Sequence, residues 1–409
     1  MGVLDTIALL LTLAALFSYL NERFLHLPTT IGIMLISLVL SFSMLVVGKL
    51  GWPVLQVEAR HFLEGVDFHQ ALMQGMLSFL LFAGALHINL NDLAKQKTIV
   101  IILATIGVLV STLIVGSLSY WLLNALGLKI SFLYCLLFGA LISPTDPIAV
   151  LAILKNVGVK KSLQVTVAGE SLFNDGVGVV VFLVLLKLAS GGAVTTPGGV
   201  GLLLLQEIAG GVVFGLLTGL AVYWLLKTVN QYQVEVLLTL ALVMGGYALA
   251  TFLHVSAPIA IVVAGLVIGN HGRVFAMSDE TRKHLDQFWE LVDEVLNAVL
   301  FLLIGIEILV LSLREEYLLA ALGIIPMVLL ARYVSVSLPM LIMEKFRRSS
   351  PNVVEVLTWG GLRGGISVAL ALSLPGGPER DVILAVTYAV VISSILIQGL
   401  TIKQVVAGK

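Results

Sequence analysis

The sequence predicts an all-α polytopic membrane protein with about thirteen transmembrane helices, arranged as an inverted repeat with two broken helices. Of its 409 residues, 59% are hydrophobic and 11% are charged, and the mean hydropathy is +1.08. A soluble domain carries about 25% charged residues. Apolar stretches of about 20 residues, the length that spans a bilayer, recur along the chain. Two of these stretches are interrupted by prolines or glycines beside a charged residue.

The apolar stretches define the predicted segments and their orientation. Their approximate limits are 4–24, 29–49, 67–88, 97–125, 131–154, 162–188, 199–227, 233–253, 257–270, 289–312, 316–343, 353–374 and 381–405. Most loop lysines and arginines fall on the cytoplasmic side if the N-terminus is outside and the C-terminus is inside. The lipid bilayer is then the main surrounding partner. The net charge of −1, without a basic tract, predicts no nucleic-acid partner, and the single cysteine excludes an intrachain disulfide.

The fifth segment contains the stretch LISPTDPIAVL at 141–151, which places Asp146 between Pro144 and Pro147. Each proline removes a backbone donor, and a charge at membrane depth costs about 2.5–3.5 kcal/mol on insertion scales. We expect the helix to unwind here, so that carbonyl groups, the Thr145 hydroxyl and half-helix ends can face a cation. Asp146 can neutralise a positive half-helix end. A simple proline kink is the alternative.

The sixth segment reads AGESLFNDGVGVVVFLVLL at 168–186 and carries two polar strips. Residues four apart share a helix face, so Ser171 aligns with Asp175, and Glu170 aligns with Asn174. Hydroxyl and carboxylate oxygens are hard donors that suit Na⁺ or Li⁺. Burial favours the protonated form of a carboxyl group that has no permanent cation. A proton and Na⁺ can therefore compete for Asp175.

The twelfth segment, TWGGLRGGISVALALSLP at 358–375, surrounds Arg363 with four glycines. Paired interrupted helices in corresponding places of two halves mark the binding site of inverted-repeat transporters. Segments 4–6 and 11–13 are the predicted repeated triplets. Arg363 needs a partner at this depth, and we expect Glu170 to be that partner, which leaves Asp175 free.

The motifs SPTDP, GESLFNDG and WGGLRGG, in this order and on these segments, resemble the NhaP-type Na⁺/H⁺ antiporters. These belong to the cation:proton antiporter-1 family, together with the animal sodium/proton exchangers. The resemblance covers essentially the whole chain, including LFLLIGIEI at 300–308. It implies a homodimer in which a core slides against a dimerisation domain. The implied parts are 1–96 with 189–288 for the dimerisation or scaffold domain, 97–188 with 316–409 for the transport core, and 289–315 for a linking helix.

The resemblance also implies an activity and the residues that carry it. The expected activity is exchange of Na⁺ or Li⁺ for H⁺ in pH and sodium homeostasis, in the bacterial inner membrane and without a cofactor. K⁺/H⁺ exchange on the same fold remains the alternative. Asn174 beside Asp175 goes, in this superfamily, with electroneutral exchange. The implied ion-binding and transport residues are Asp175, Asp146, Thr145, Ser171 and Asn174, of which Asp175, Ser171, Asp146 and Thr145 hold Na⁺, and the implied core ion pair is Glu170 with Arg363.

One position departs from the family pattern. The third segment reads LFAGALHINL at 81–90 and has Ala83 where many relatives carry a glutamate near the ion path. His87 follows one turn later, and we expect it to be a satisfied polar group rather than a pH sensor.

Three further features favour structural roles. The glycine stripe Gly211, Gly215 and Gly219 allows close helix packing, either in a dimer seam or inside the protein. Asn297 is expected to be structural, and Arg332 to pair near the eleventh segment or reach the interface.

Two other classes of protein fit the sequence less well. An intramembrane protease would need a Gly-x-Gly-Asp or zinc motif, or a serine nucleophile with a histidine partner. Ser171 has no histidine on a likely partner helix. The protein is therefore not expected to be an enzyme. An ion channel would not require charges in an occluded site between two broken helices, so a carrier is favoured.

Overall fold

The computed structural model describes residues 3–50, 57–59, 71–191, 197–311, 314–344 and 352–407. Within these ranges the chain is helical and forms no β-strand. The helices of the first half are α1 (Val3–Leu20), α2 (Thr29–Lys49), α3 (Leu77–Leu86), α4 (Leu90–Ala125), α5a (Phe132–Ile142), α5b (Ile148–Val157) and α6 (Lys161–Ala189). Those of the second half are α7 (Pro197–Leu226), α8 (Tyr232–Phe252), α9 (Ala257–Val267), α10 (Asp279–Ile306), α11 (Glu315–Glu344), α12a (Val353–Trp359), α12b (Gly365–Leu372) and α13 (Pro378–Val406).

Several helices contain or border a π-helical turn. Such turns lie at Asn21–Leu25, Ala71–Met76, Leu103–Gly107, Ile268–Gly272 and Ser394–Gln398. The turn at Ser394–Gln398 is the one that matters for the site, because its side chains reach the broken twelfth helix, as described below.

Eight of the described helices are long and apolar enough to cross a membrane. The polytopic all-α prediction is confirmed, whereas the count of thirteen crossings stays a prediction. The other predicted segments are short, broken or polar: α10, for instance, begins with the charged stretch DETRKHLDQFWELVDE. Part of the predicted third segment, 67–70, lies outside the described residues.

Both predicted breaks are present. The fifth helix ends at Ile142 and resumes at Ile148, and the twelfth ends at Trp359 and resumes at Gly365. The two unwound stretches cross, because the Asp146 backbone N donates a 2.8 Å hydrogen bond to the Leu362 carbonyl. Pro144 and Pro147 cannot donate backbone hydrogen bonds, so they prevent helix formation at this point. The simple proline kink is therefore excluded.

The glycine stripe of α7 lies against α9 inside the protein. A Cβ atom added at Gly211 would come within 2.7 Å of the Ser256 carbonyl oxygen, and one at Gly219 within 3.1 Å of the Ala264 Cα. A Cβ atom added at Gly215 would come within 2.9 Å of the Ala260 Cα. The stripe is thus an internal contact between α7 and α9, as small-residue stripes in membrane helices allow.

Gly215→Ala is expected to lower the thermal stability of the protein. The new methyl group would lie 2.9 Å from the Ala260 Cα, and overpacking of this kind costs about 1–3 kcal/mol. The measurement is the apparent melting temperature of the purified protein in detergent. The matched control is Gly245→Ala on α8, where a Cβ atom meets nothing within 4 Å. Equal melting temperatures for the two variants would contradict the close α7–α9 contact.

Candidate functional site

Asp146 lies where two half-helices begin. Its Oδ1 atom accepts a 3.0 Å hydrogen bond from the Ile148 backbone N at the start of α5b. A Cβ atom at Gly364 would come within 2.7 Å of Asp146 Oδ2, so glycine is needed for this carboxylate to approach the start of α12b. Helix N-termini carry partial positive charge. The Asp146 carboxylate therefore neutralises the N-terminus of α5b and lies beside that of α12b.

Arg363 lies at a helix C-terminus, where its positive charge compensates the partial negative charge of the helix dipole. Its side chain is 2% exposed, and Nη1 donates to the carbonyl oxygens of Ser143 (2.7 Å) and Pro144 (3.0 Å), just past the C-terminus of α5a. Its backbone N donates to Ser394 Oγ at 2.9 Å, in the π-helical turn of α13. A cation at a helix C-terminus is stabilised by the helix dipole. Arg363 thus holds the break together through backbone oxygens.

The predicted ion pair between Glu170 and Arg363 is wrong, because Glu170 pairs with Arg332. Arg332 Nη1 and Nη2 donate to the two carboxylate oxygens of Glu170 at 2.6 and 2.8 Å. Arg332 also donates to the Leu357 carbonyl at the end of α12a. The planar guanidinium matches a carboxylate in this two-point geometry. The sequence analysis paired Glu170 with Arg363 alone, because the approach of Arg332 to Glu170 depends on how α11 packs against α6.

The remaining polar residues of the sixth helix bind the unwound stretch. Ser171 Oγ lies 3.0 Å from Thr145 Oγ1. Asn174 Nδ2 donates to Thr145 Oγ1 (2.9 Å) and Glu170 Oε1 (3.1 Å), while its Oδ1 accepts from the Thr145 backbone N (3.2 Å). The predicted residues Thr145, Ser171 and Asn174 are therefore brought together. Both ends of the Asn174 amide are used in holding Thr145.

A cavity of about 730 Å³ reaches the crossing from one side of the protein. Thr145, Asp146 and Asp175 line it, whereas Ser171 and Asn174 lie behind Thr145 and are not part of its wall. Its exposed lining residues lie on α10 and near the α3–α4 and α5b–α6 connections, which are on one side of the predicted membrane. The exposed lining residues that are charged or polar are His87, Asn89, Lys155, Lys161, Glu290 and Glu294. The two acidic residues of the predicted ion site, Asp146 and Asp175, thus line the same accessible cavity.

Sequence reasoning missed the acidic face of α10. Glu290, Asp293 and Glu294 line the cavity together with Asn297. Their spacing of three and four residues places them on one helical face, and that spacing, inside the predicted segment 289–312, is the signal that could have identified them. Arg332 was likewise recognised as buried but was not connected with Glu170.

The third helix supplies an apolar part of the wall. Ala83 is 1% exposed and lines the cavity. His87 Nδ1 lies 2.8 Å from the Ala83 carbonyl oxygen, as expected for a satisfied polar group. Ala83 therefore gives this part of the wall no carboxylate.

Two unwound helices that cross at membrane depth, beside acidic groups and an accessible cavity, define the architecture of a broken-helix secondary transporter. The sequence profile of the family described as "Sodium/hydrogen exchanger, transmembrane" matches residues 9–408. The chain therefore belongs to the transmembrane sodium/hydrogen exchanger family.

Individual proteins agree with this assignment. The chain is 52% identical over 408 residues to the Na⁺/H⁺ antiporter NhaP of Pseudomonas aeruginosa, covering 99% of this chain and 96% of that protein. It is 34% identical over 411 residues to the Na⁺/H⁺ antiporter NhaH of Halobacillus aidingensis, with the same coverage. The fold matches the solved structure of the sodium proton antiporter MjNhaP1 from Methanocaldococcus jannaschii at pH 8, with a TM-score of 0.77 at 20% identity, over 100% of this chain and 99% of that chain.

The Glu170–Arg332 pair is expected to dominate the stability of this region. Removing one partner of a buried pair costs about 3–5 kcal/mol, because the other charge is left uncompensated. Glu170→Gln and Arg332→Gln should each lower the melting temperature sharply, and the double variant should lose much less than the sum of the two. The measurement is thermal unfolding of the purified protein in detergent.

The matched comparison is the cycle of Glu170→Gln with Arg363→Gln. Arg363 binds carbonyl oxygens rather than Glu170, so these two substitutions should be coupled much more weakly than Glu170→Gln and Arg332→Gln. Stronger coupling of Glu170 to Arg363 than to Arg332 would contradict the pairing described above.

Proposed function

We propose that the protein is a secondary antiporter that exchanges Na⁺ or Li⁺ for H⁺, with cation and proton competing for Asp175. The observation that carries this proposal is the place of Asp175 in the cavity beside Asp146, while both buried arginines are engaged elsewhere. Neither Arg332 nor Arg363 is then a counter-ion for Asp175. Its charge can be neutralised by an incoming cation or by a proton, and the two exclude each other. The names of the related antiporters support the same activity.

The proposed ion site adds oxygen ligands around Asp175. Thr145 and Asp146 share the cavity wall with it, and Ser171 lies against the Thr145 hydroxyl. Hydroxyl and carboxylate oxygens suit small hard cations. Asn174 serves this site by fixing the Thr145 backbone. The transported ions are substrates, and the proposal includes no cofactor.

An exchange of one cation for one proton follows if a single carboxylate carries both. Asp146 neutralises a half-helix end, and Glu170 is paired with Arg332, so both are proposed to stay ionised throughout. Asn174 is uncharged. Only Asp175 then changes its state, from protonated to cation-bound, and each half-cycle carries one positive charge. The exchange is therefore proposed to be electroneutral.

Alternating access is proposed to come from movement of the core, 97–188 with 316–409, against the scaffold, 1–96 with 189–288, with 289–315 as the link. The cavity lies between Asp175 on α6 and residues of α3 and α10, which is the boundary between these two parts. The close α7–α9 contact supports a rigid scaffold. We further propose a homodimer in the bacterial inner membrane, with the N-terminus outside and the C-terminus cytoplasmic, that serves pH and sodium homeostasis.

Asp175→Asn is expected to abolish exchange, because an amide can neither release a proton nor neutralise Na⁺. The measurement is Na⁺-induced proton efflux from acid-loaded proteoliposomes, repeated with Li⁺ and K⁺. The control is Asp381→Asn, at the start of α13 and outside the cavity wall, which should leave efflux intact. Efflux with K⁺ alone would show that the proposed substrate is wrong. Full activity of Asp175→Asn would show that the proposed carrier residue is wrong.

Electroneutral exchange predicts that the rate does not depend on membrane potential. Proteoliposomes containing valinomycin and set K⁺ gradients hold the potential at chosen values while Na⁺-driven proton efflux is recorded. Initial rates should agree at inside-negative, zero and inside-positive potentials. A rate that changes steadily with the potential would mean that net charge crosses in each cycle, and that the one-for-one stoichiometry is incorrect.

A further inference from the structure

Two oxygen-bearing side chains on the cavity wall are buried without a hydrogen-bond partner for one oxygen each. Asn297 on α10 is 3% exposed and Ser367 on α12b is 1% exposed. In the described structure, Asn297 Oδ1 and Ser367 Oγ have no partner, and both residues line the cavity. Buried polar atoms are nearly always hydrogen-bonded, so an unpaired oxygen on a cavity wall is available to a ligand, either an ion or an ordered water molecule.

The two oxygens lie on helices that pack against each other. α10 meets α12b where a Cβ atom at Gly365 would come within 2.7 Å of the Leu300 side chain. Asn297 is one turn before Leu300, and Ser367 is two residues after Gly365. The amide nitrogen of Asn297 donates to the Asp293 carbonyl at 2.8 Å. That contact fixes which end of the amide is left unpaired, namely the oxygen.

A carboxylate lies on the same face of α10 as Asn297. Asp293 is half-buried, lines the same cavity, and precedes Asn297 by one helical turn. A carboxylate, an amide oxygen and a hydroxyl oxygen together form a hard-donor set of the kind that binds alkali cations. Two lysines and a histidine also line the cavity, but they lie toward its exposed mouth, namely Lys155, Lys161 and His87.

We propose that Asp293, Asn297 and Ser367 form a second site for a monovalent alkali cation, which holds the ion on its way between the open side and Asp175. The proposal rests on the proposed antiport, because it assigns a step to the same transported ion. The two sites differ in their elements: one lies on α10 and α12b, the other on α5 and α6. Asp175 lines the same cavity, so a cation on the α10 wall can reach it without leaving that cavity.

The test is direct binding of ²²Na⁺ to purified full-length protein at alkaline pH, with Asp175→Asn as the background. This substitution removes the carboxylate that is proposed to carry the exchanged ion, so saturable Na⁺ binding that remains and depends on Asn297 and Ser367 reports the second site. We expect binding to persist in Asp175→Asn. It should weaken about tenfold or more when Asn297→Leu or Ser367→Ala is added, because each removes an oxygen that contacts a charge.

Two variants separate a ligand role from a structural one. Asn297→Asp keeps an oxygen at this position, so it should retain Na⁺ binding where Asn297→Leu loses it. Ser37→Ala is the control for Ser367→Ala. Ser37 is equally buried, but its hydroxyl donates to the Ile33 carbonyl of its own helix and does not line the cavity. Ser37→Ala should leave Na⁺ binding unchanged.

Each possible result decides the proposal. Loss of all saturable Na⁺ binding in Asp175→Asn overturns it, and so does unchanged binding after Asn297→Leu and Ser367→Ala, which would mean that water alone fills the space. Failure of the antiport is recognised separately: wild-type proteoliposomes would then show no Na⁺-driven proton flux, whatever the binding result. Flux in the wild type without binding in Asp175→Asn leaves the antiport standing and removes only the second site.

Discussion

The crossing of two unwound helices is the constraint on which the rest of the structure depends. Hydrocarbon offers no hydrogen bonds, so each backbone group freed by the breaks must find a partner inside the protein. The Leu362 carbonyl accepts from the Asp146 backbone N, and the carbonyls of Ser143 and Pro144 accept from Arg363. Gln398, in the π-helical turn of α13, donates to the Trp359 carbonyl. The breaks therefore persist because the fifth helix, the twelfth helix and α13 supply the missing partners.

The buried charged side chains at and around this crossing have different partners. Arg363 and Asp146 compensate opposite helix ends within the crossing. Arg332 and Glu170 neutralise each other and join α11 to α6, and the link from Arg332 to the Leu357 carbonyl extends the network to α12a. After these pairings, Asp175 is the carboxylate of the sixth helix that no buried arginine neutralises. The carboxylate that is paired with an arginine and the carboxylate that is proposed to exchange ions thus lie only one or two helical turns apart.

Sequence periodicity and composition were sufficient for the helical class, both breaks and the residues at the crossing, because each depends on local chemistry. Prolines around Asp146 and glycines around Arg363 disrupt a helix wherever it packs. The partner of Glu170 was not predictable in the same way, because the choice between Arg332 and Arg363 depends on how α11 approaches α6. The side of α7 that meets α9 is also a tertiary fact: Gly215 fits a dimer seam or an internal contact equally well until Ala260 is found against it.

The acidic face of α10 supplies carboxylates to a cavity in which the third helix has Ala83 instead of a glutamate. The family resemblance implied a third-helix glutamate near the ion path, whereas here α3 contributes an alanine and a satisfied histidine to the wall. The same cavity is lined on α10 by Glu290, Asp293 and Glu294. A cation attracted into a low-dielectric cleft responds to the summed field of its walls rather than to one residue. The negative charge that α3 lacks is therefore present on α10, so the cavity remains attractive to cations although its third-helix carboxylate is absent.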